Sequence, residues 1–196
     1  MGNTLTGDNK KKWIPRTSGT RWTENLYREH SDALYAYGRK LGAQAPVIED
    51  AIHDIFVSFW EQDKRKEINN PKAYLFGALR NRLMKSYRKS ALTVYGKDFE
   101  SHNFPLEIDY ESVIISEEIK AETLQRLSSG IASLSDSQRE ILYLRFNEGL
   151  EYNEIAETLN MNYQSALNAV HRAIKSLRTH LGETVSVWII LQQGLQ

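Results

Sequence analysis

Residues 152–170 read YNEIAETLNMNYQSALNAV, and this stretch decides the fold. Two helices joined by a tight turn need a small residue where they cross, a turn position that tolerates positive φ, and apolar anchors on both inner faces. Ala156 is the small crossing residue, with Ile155 and Leu159 beside it. Asn160 stands at the turn, where glycine is commonest and asparagine comes next. Met161, Ala166 and Val170 supply the anchors beyond it. The pattern predicts a helix-turn-helix whose second helix runs from about Tyr163 to Leu181. On that helix Ala166, Val170, Ala173, Ile174, Leu177 and Leu181 fall inward, while Gln164, Asn168, His171, Arg172 and Lys175 fall on the opposite face. Gln and Asn each make a bidentate pair with adenine in the major groove, and Arg and Lys suit phosphate or guanine. An ordinary helical hairpin with a polar outer face fits the same pattern. The hairpin alone does not settle a DNA reading.

Upstream, Ser135 and Gln138 match a capping box ahead of a helix carrying Ile141, Leu142 and Phe146, which Gly149 ends. Residues 91–127 differ: Gly96, Pro105, scattered acids and an uneven apolar pattern predict a linker, with a short helix from Ser116 onward. Further forward the helical period returns. Leu26, Tyr27, His30, Leu34, Tyr37 and Leu41 recur every three or four residues. Pro46 suits a first helical turn, and Ile48, Ile52, Ile55, Phe56, Phe59 and Trp60 form a second stripe. After the polar stretch EQDKRKEINN, Asn70 and Pro71 are an N-cap and first-turn pair opening a third helix to about Lys89. There Leu75, Phe76, Leu79, Leu83 and Tyr87 make one face, and Tyr74, Ala78, Asn81, Lys85 and Arg88 the other, flanked by Arg82 and Lys89. A basic face bearing asparagine and tyrosine suits single-stranded or distorted DNA: charge for the backbone, rings for stacked bases. A merely solvated charged face is the plainer alternative for one helix taken alone.

The expected fold is all-α: two small helical domains joined by an acidic linker, the second a helix-turn-helix. Residues 1–20 form an N-terminal extension, 21–90 the first domain, 91–127 the linker, 128–181 the second domain and 182–196 a tail. A net charge of zero over 196 residues hides an uneven distribution: these stretches carry +3, +4 and −5, and everything after residue 127 carries −2. One domain faces a polyanion, and a neighbouring segment must avoid it. The chain has no cysteine, which excludes disulfides and thiolate metal sites. The N-terminal stretch has no apolar core, and the apolar run Val185–Leu191 falls short of the roughly 20 residues a membrane span needs, so a soluble cytoplasmic protein is expected.

The segments taken in order resemble a family. LYREHSDALYAYGRKL, EDAIHDIFVSFWEQ and NPKAYLFGALRNRLMKSYRK resemble region 2 of extracytoplasmic-function sigma factors, and LSDSQREILYLRFNEGLEYNEIAETLNMNYQSALNAVHRAIKSLR resembles their region 4. The resemblance implies a transcription initiation factor that gives core RNA polymerase its promoter specificity. It implies that Asp50, His53, Asp54, Phe56 and Trp60 dock on the β′ clamp helices, with His53 standing where the family usually has glutamine. It implies that Asn69, Asn70, Lys72, Tyr74, Asn81, Lys85 and Arg88 capture the minus-ten element and hold the opened strand. It further implies that the helix from Tyr163, with Gln164, Ser165, Asn168, His171, Arg172 and Lys175, reads the minus-thirty-five element, and that this domain meets the β flap. The acidic linker is similar to the one that threads toward the polymerase active site. Promoter DNA and an anti-sigma factor, commonly membrane-tethered, are the other implied partners.

Two features depart from that pattern. Leu167 and Ala169 replace positions often basic or bulky, and the second domain is net negative, which weakens its expected grip on phosphate. The tail GETVSVWIILQQGLQ is more apolar than a free tail, and extending the last helix, covering the second domain or binding a partner all stay open for it. Glu49, Asp50, His53 and Asp54 lie on one or two helical turns, but a carboxylate metal site normally needs ligands from a second helix, and an acidic docking surface accounts for them. No phosphate-cradling glycine loop or nucleophile elbow is present, so neither an enzyme nor a cofactor is expected. The rival reading is a stand-alone helix-turn-helix regulator with a sensing or dimerising front half.

Overall fold

The computed structural model describes residues 18–61, 68–93, 104–106 and 117–181. Most of the N-terminal extension, most of the loop after the second helix, much of the linker and the apolar tail lie outside the described residues; residues 18–20 of the extension belong to the first helix. All described regular structure is helical: α1 (Ser18–Lys40), α2 (Ala45–Glu61), α3 (Pro71–Thr93), α4 (Glu117–Ala132), α5 (Asp136–Leu142), α6 (Tyr152–Thr158) and α7 (Tyr163–Leu181).

The helix ends follow their local chemistry. Gly42, at φ 82°, turns the chain after α1, and the Arg39 guanidinium donates to the Ala43 carbonyl at 3.2 Å. Asn70 caps α3, its side-chain oxygen accepting from the Ala73 N–H at 2.9 Å, with Pro71 in the first turn where no donor is missed. The capping box of α5 is closed in both directions, Ser135 N–H to Gln138 at 2.9 Å and Gln138 N–H to Ser135 at 3.3 Å. The regular helix predicted through Phe146 instead widens into a π-helical turn at Tyr143–Asn147. The Glu148 N–H donates to the Tyr143 carbonyl at 3.1 Å, and the Tyr143 hydroxyl donates to the Glu148 carboxylate at 2.7 Å. The short helix expected from Ser116 is α4, which runs on to Ala132.

In the front unit Leu34, Tyr37, Ile48, Ile55, Phe59, Leu75, Phe76, Leu79 and Leu83 are buried, as their stripes predict. Tyr27 departs from its stripe. It is 51% exposed, and its ring stands edge-on against Phe56 with centroids 5.1 Å apart. A bulky ring at the rim of a stripe covers the core from outside when Leu26 already fills the inner position.

His30, in contrast, is buried as placed. Burial lowers the pKa of its imidazole below the ordinary 6.5, and Lys72 adds to the lowering; Glu29, 3.9 Å away, and Glu148 oppose without reversing it. The unfolded chain therefore takes up a proton near pH 6.5 while the folded chain stays neutral until lower pH. Stability contributed by neutral His30 is complete above that pH, falls as pH drops through the window, and levels off below the folded value. Urea midpoints measured across mild acid should show this fall, and His30→Gln should flatten it.

The two helical units expected from the sequence are not held apart. Buried residues of both join one continuous core. Helix α3 packs on α6, and the Tyr37 and Tyr143 rings stack with centroids 6.0 Å apart and planes 6° apart. Phe104, from the segment read as linker, is buried beside both, 6.3 Å from Tyr37 and 5.7 Å from Tyr143.

Candidate nucleic-acid interface

The hairpin of α6 and α7 is built as its sequence demands. Asn160 takes a positive φ of 52° at the turn, and the Met161 N–H donates to the Ala156 carbonyl at 2.9 Å. Ile155, Ala156, Ala166, Val170, Ala173, Ile174 and Leu177 are buried. Asn162 opens α7, its side-chain oxygen accepting from the Ser165 N–H at 2.7 Å. Ser165 itself is half-buried at the edge of the face.

Gln164, Asn168, His171, Arg172 and Lys175 are all exposed on one side of α7. The Gln164 amide donates to the Asn168 side-chain oxygen at 3.0 Å, so the two amides are held together one turn apart. That leaves donors and acceptors on a pre-oriented amide pair, the chemistry that matches an adenine edge. Sequence reasoning missed the neighbouring aromatic group. Tyr163 is 53% exposed at the start of α7, edge-on to Tyr152 at 6.3 Å, and Tyr152 also meets His171 at 6.4 Å and carries the Arg145 guanidinium 5.0 Å from its ring centre. Exposed tyrosine at the first position of a polar-faced helix was the available signal; the contact with Tyr152 was not legible.

On α3, Asn81, Lys85 and Arg88 are exposed, as is Asn69 just before it. The other residues assigned to the melting surface are engaged. Tyr74 is half-buried with its ring edge-on to Phe59 at 5.0 Å. The Asn70 amide donates to Glu154, and the Lys72 ammonium lies 3.2 Å from the Glu148 carboxylate. On α2, Asp50, His53 and Asp54 are exposed, and Asp54 pairs with Arg82 of α3 at 3.0 Å. Phe56 is buried in the core, in ring contact with Tyr27 and Phe59. The Trp60 side chain lies outside the described residues. Among the described residues no three His, Cys, Asp or Glu side chains converge as a metal ion needs, and no helix is long and apolar enough to cross a membrane.

An exposed polar face on α7 and an exposed basic face on α3 place the chain among proteins of two helical units that carry nucleic-acid-compatible surfaces. Residues 26–93 match Sigma-70 region 2 and residues 124–177 match Sigma-70, region 4, together more than half of the chain. The chain belongs to the sigma-70 family of transcription initiation factors, in its extracytoplasmic-function group. The ECF RNA polymerase sigma factor SigK of Mycobacterium sp. (strain KMS) is 25% identical over 162 residues, covering 80% of this chain and 81% of that protein. Among solved structures, the sigma factor RpoE in complex with the anti-sigma factor NepR from Bartonella quintana is similar with a TM-score of 0.54 and 23% identity, over 84% of this chain and 99% of that one. CnrH, solved with the cytosolic domain of CnrY, has a TM-score of 0.49 and 20% identity, over 84% of this chain and 90% of that one. Family membership favours a sigma factor over the stand-alone regulator.

Proposed function

We propose that this sigma factor docks on core polymerase through the exposed acids of α2, reads the minus-thirty-five element with α7, and holds the opened minus-ten strand along α3. The observation that carries the reading is the α7 face, where Gln164, Asn168, Arg172 and Lys175 stand exposed together above a fully apolar inner face. Amides read base edges there, and the cations grip phosphate. The exposed run Asn81, Lys85 and Arg88 supplies the second DNA surface, and Asp50, His53 and Asp54 the polymerase contact. By analogy with RpoE, which was solved with NepR, an anti-sigma factor is among its partners.

Arg172→Ala should weaken binding to every promoter and lower the salt slope by about one unit. Gln164→Ala should instead relax preference at one base pair, costing roughly 1–3 kcal/mol there. Titration of a promoter set at several salt concentrations separates the two. Uniform weakening by Gln164→Ala would mean that α7 does not read bases as proposed.

Strand opening is the activity that distinguishes a sigma factor from any other helix-turn-helix protein. Opening needs tighter binding to the unpaired than to the paired state. With core polymerase present, permanganate should detect unpaired thymines near the start site of a cognate promoter. The combined variant Asn81→Ala, Lys85→Ala, Arg88→Ala removes exposed groups and leaves the Asn70 cap and the Tyr74–Phe59 contact in place. It should lose that reactivity on duplex DNA and recover part of its transcription on a pre-melted bubble. Normal opening by this variant would place the melting surface elsewhere.

A further inference from the structure

Tyr163 is the most exposed of the large apolar side chains among the described residues, at 53%. A single exposed ring is ordinary on a protein surface, so its placement is what matters. It stands in the first turn of α7 and is held from one side. Its ring is edge-on to Tyr152, with centroids 6.3 Å apart, and Tyr152 carries the Arg145 guanidinium 5.0 Å from its own ring centre. Arg145 is fixed in turn, donating to the Leu150 carbonyl at 2.9 Å and to the Glu151 carboxylate at 3.1 Å. Leu167 follows four residues on, one helical turn further along the same side of α7, and is half-buried. Each has a member of the amide pair as its next residue in the chain, Gln164 after Tyr163 and Asn168 after Leu167. An apolar edge therefore runs beside the amides. We propose that Tyr163 and Leu167 read thymine methyl groups in the minus-thirty-five element, beside the adenine that Gln164 and Asn168 read.

Thymine reading rests on the role proposed for α7 and adds a second half to its base preference. In the major groove thymine presents its C5 methyl, and contact with that methyl is how an apolar side chain tells thymine from the other bases. The residues that reach base edges in a helix-turn-helix lie in the N-terminal part of the second helix, where Tyr163 and Leu167 stand. Leucine has no donor for phosphate, so Leu167 contributes to a DNA contact only through apolar surface. The chain carries a net charge of −2 after residue 127, so less of this unit's affinity comes from phosphate and more from base edges. The support from Arg145 and Tyr152 sets the orientation of the Tyr163 ring before DNA arrives, and a preset ring loses little freedom on binding. A ring kept merely to close the hairpin would be covered by it, whereas more than half of this one faces solvent.

Deoxyuridine in place of thymidine removes that methyl and nothing else. Holoenzyme assembled from core polymerase and the full-length chain is titrated with a promoter it selects, and with copies carrying deoxyuridine singly at each thymine of the minus-thirty-five element on either strand. Wild-type holoenzyme should bind at least one copy about fourfold less tightly, the effect of leaving one methyl group unburied. Tyr163→Ala and Leu167→Ala should each bind the unmodified promoter about fourfold less tightly and stop distinguishing a deoxyuridine copy from it. Tyr163→Phe keeps the ring and should behave as the wild type; a phenylalanine variant that binds like the alanine one would show a hydroxyl contact and overturn methyl reading by Tyr163. Wild-type indifference to every missing methyl would overturn the proposal, as would full methyl discrimination in both alanine variants. If Gln164→Ala still relaxes a base-pair preference, that failure is confined to methyl reading. If no base-pair change in the element alters binding, the role proposed for α7 falls with it.

Discussion

Glu140→Ala is expected to lower the folding stability of the chain by about 3–5 kcal/mol, the cost of stranding the partners of a buried ion pair. Arg80 would keep its guanidinium at a three-quarters covered position with no carboxylate opposite it. The Tyr37 hydroxyl, fully buried, would lose its acceptor at 2.6 Å. Burial raises the pKa of Tyr37 well above its ordinary range, and the Glu140 charge adds to that, so this tyrosine is a fixed proton donor at any working pH. Urea denaturation read by far-UV circular dichroism measures the loss. Glu140→Gln keeps an acceptor for Tyr37 and should fall between wild type and alanine. If Glu140→Ala costs less than about 1 kcal/mol, the value of a surface pair, the junction between the units does not exist in solution.

Phe104→Ala should cost a similar amount, about 3–5 kcal/mol, for a different reason. Its ring is buried against Tyr37 and Tyr143 within the core they belong to, and truncation leaves a cavity there. The shape of the transition should change with it. The wild-type chain, with one continuous core, should unfold in a single step, and the variant in two, as each helical unit loses its hold on the other. Because Phe104 and Glu140 act at one junction, the double variant should lose less than the two single losses added together. Strict additivity would mean that the two sites do not share a structural unit.

The parts of this protein that were legible in its sequence are those decided by neighbours in the chain. Asn160 at a helix-helix turn, the Ser135–Gln138 capping box and the Asn70–Pro71 helix start each depend on residues within one turn, and each is formed. The α7 faces followed from a single period, and its inner and outer sets divide as that period requires where they are described. Long-range placements were not legible. The surplus of acid in the back unit was visible, but it was read as a weaker grip on phosphate, because nothing local tells Glu140 that Tyr37 and Arg80 stand opposite. Phe104 sits in a stretch with no periodicity, so its burial carried no signal. Phe56 belonged to the apolar stripe of its helix, and its burial follows that stripe, whereas Tyr74 was placed on the outer face and only its long-range contact with Phe59 draws the ring inward. The π-helical turn at Tyr143–Asn147 defeats a fixed helical period altogether.

Transcription in vitro from a genomic promoter library by purified core RNA polymerase, with and without this protein, reads out promoter selection itself. Core enzyme alone should start almost nowhere, and adding the chain should produce defined starts at a small promoter set sharing two spaced elements. Those starts should weaken when Asp50 and Asp54 are both replaced by lysine, since both are exposed on α2 and their loss leaves the core untouched. Starts that are unaffected by the protein, together with tight duplex binding by the protein in the absence of polymerase, would contradict the proposed function.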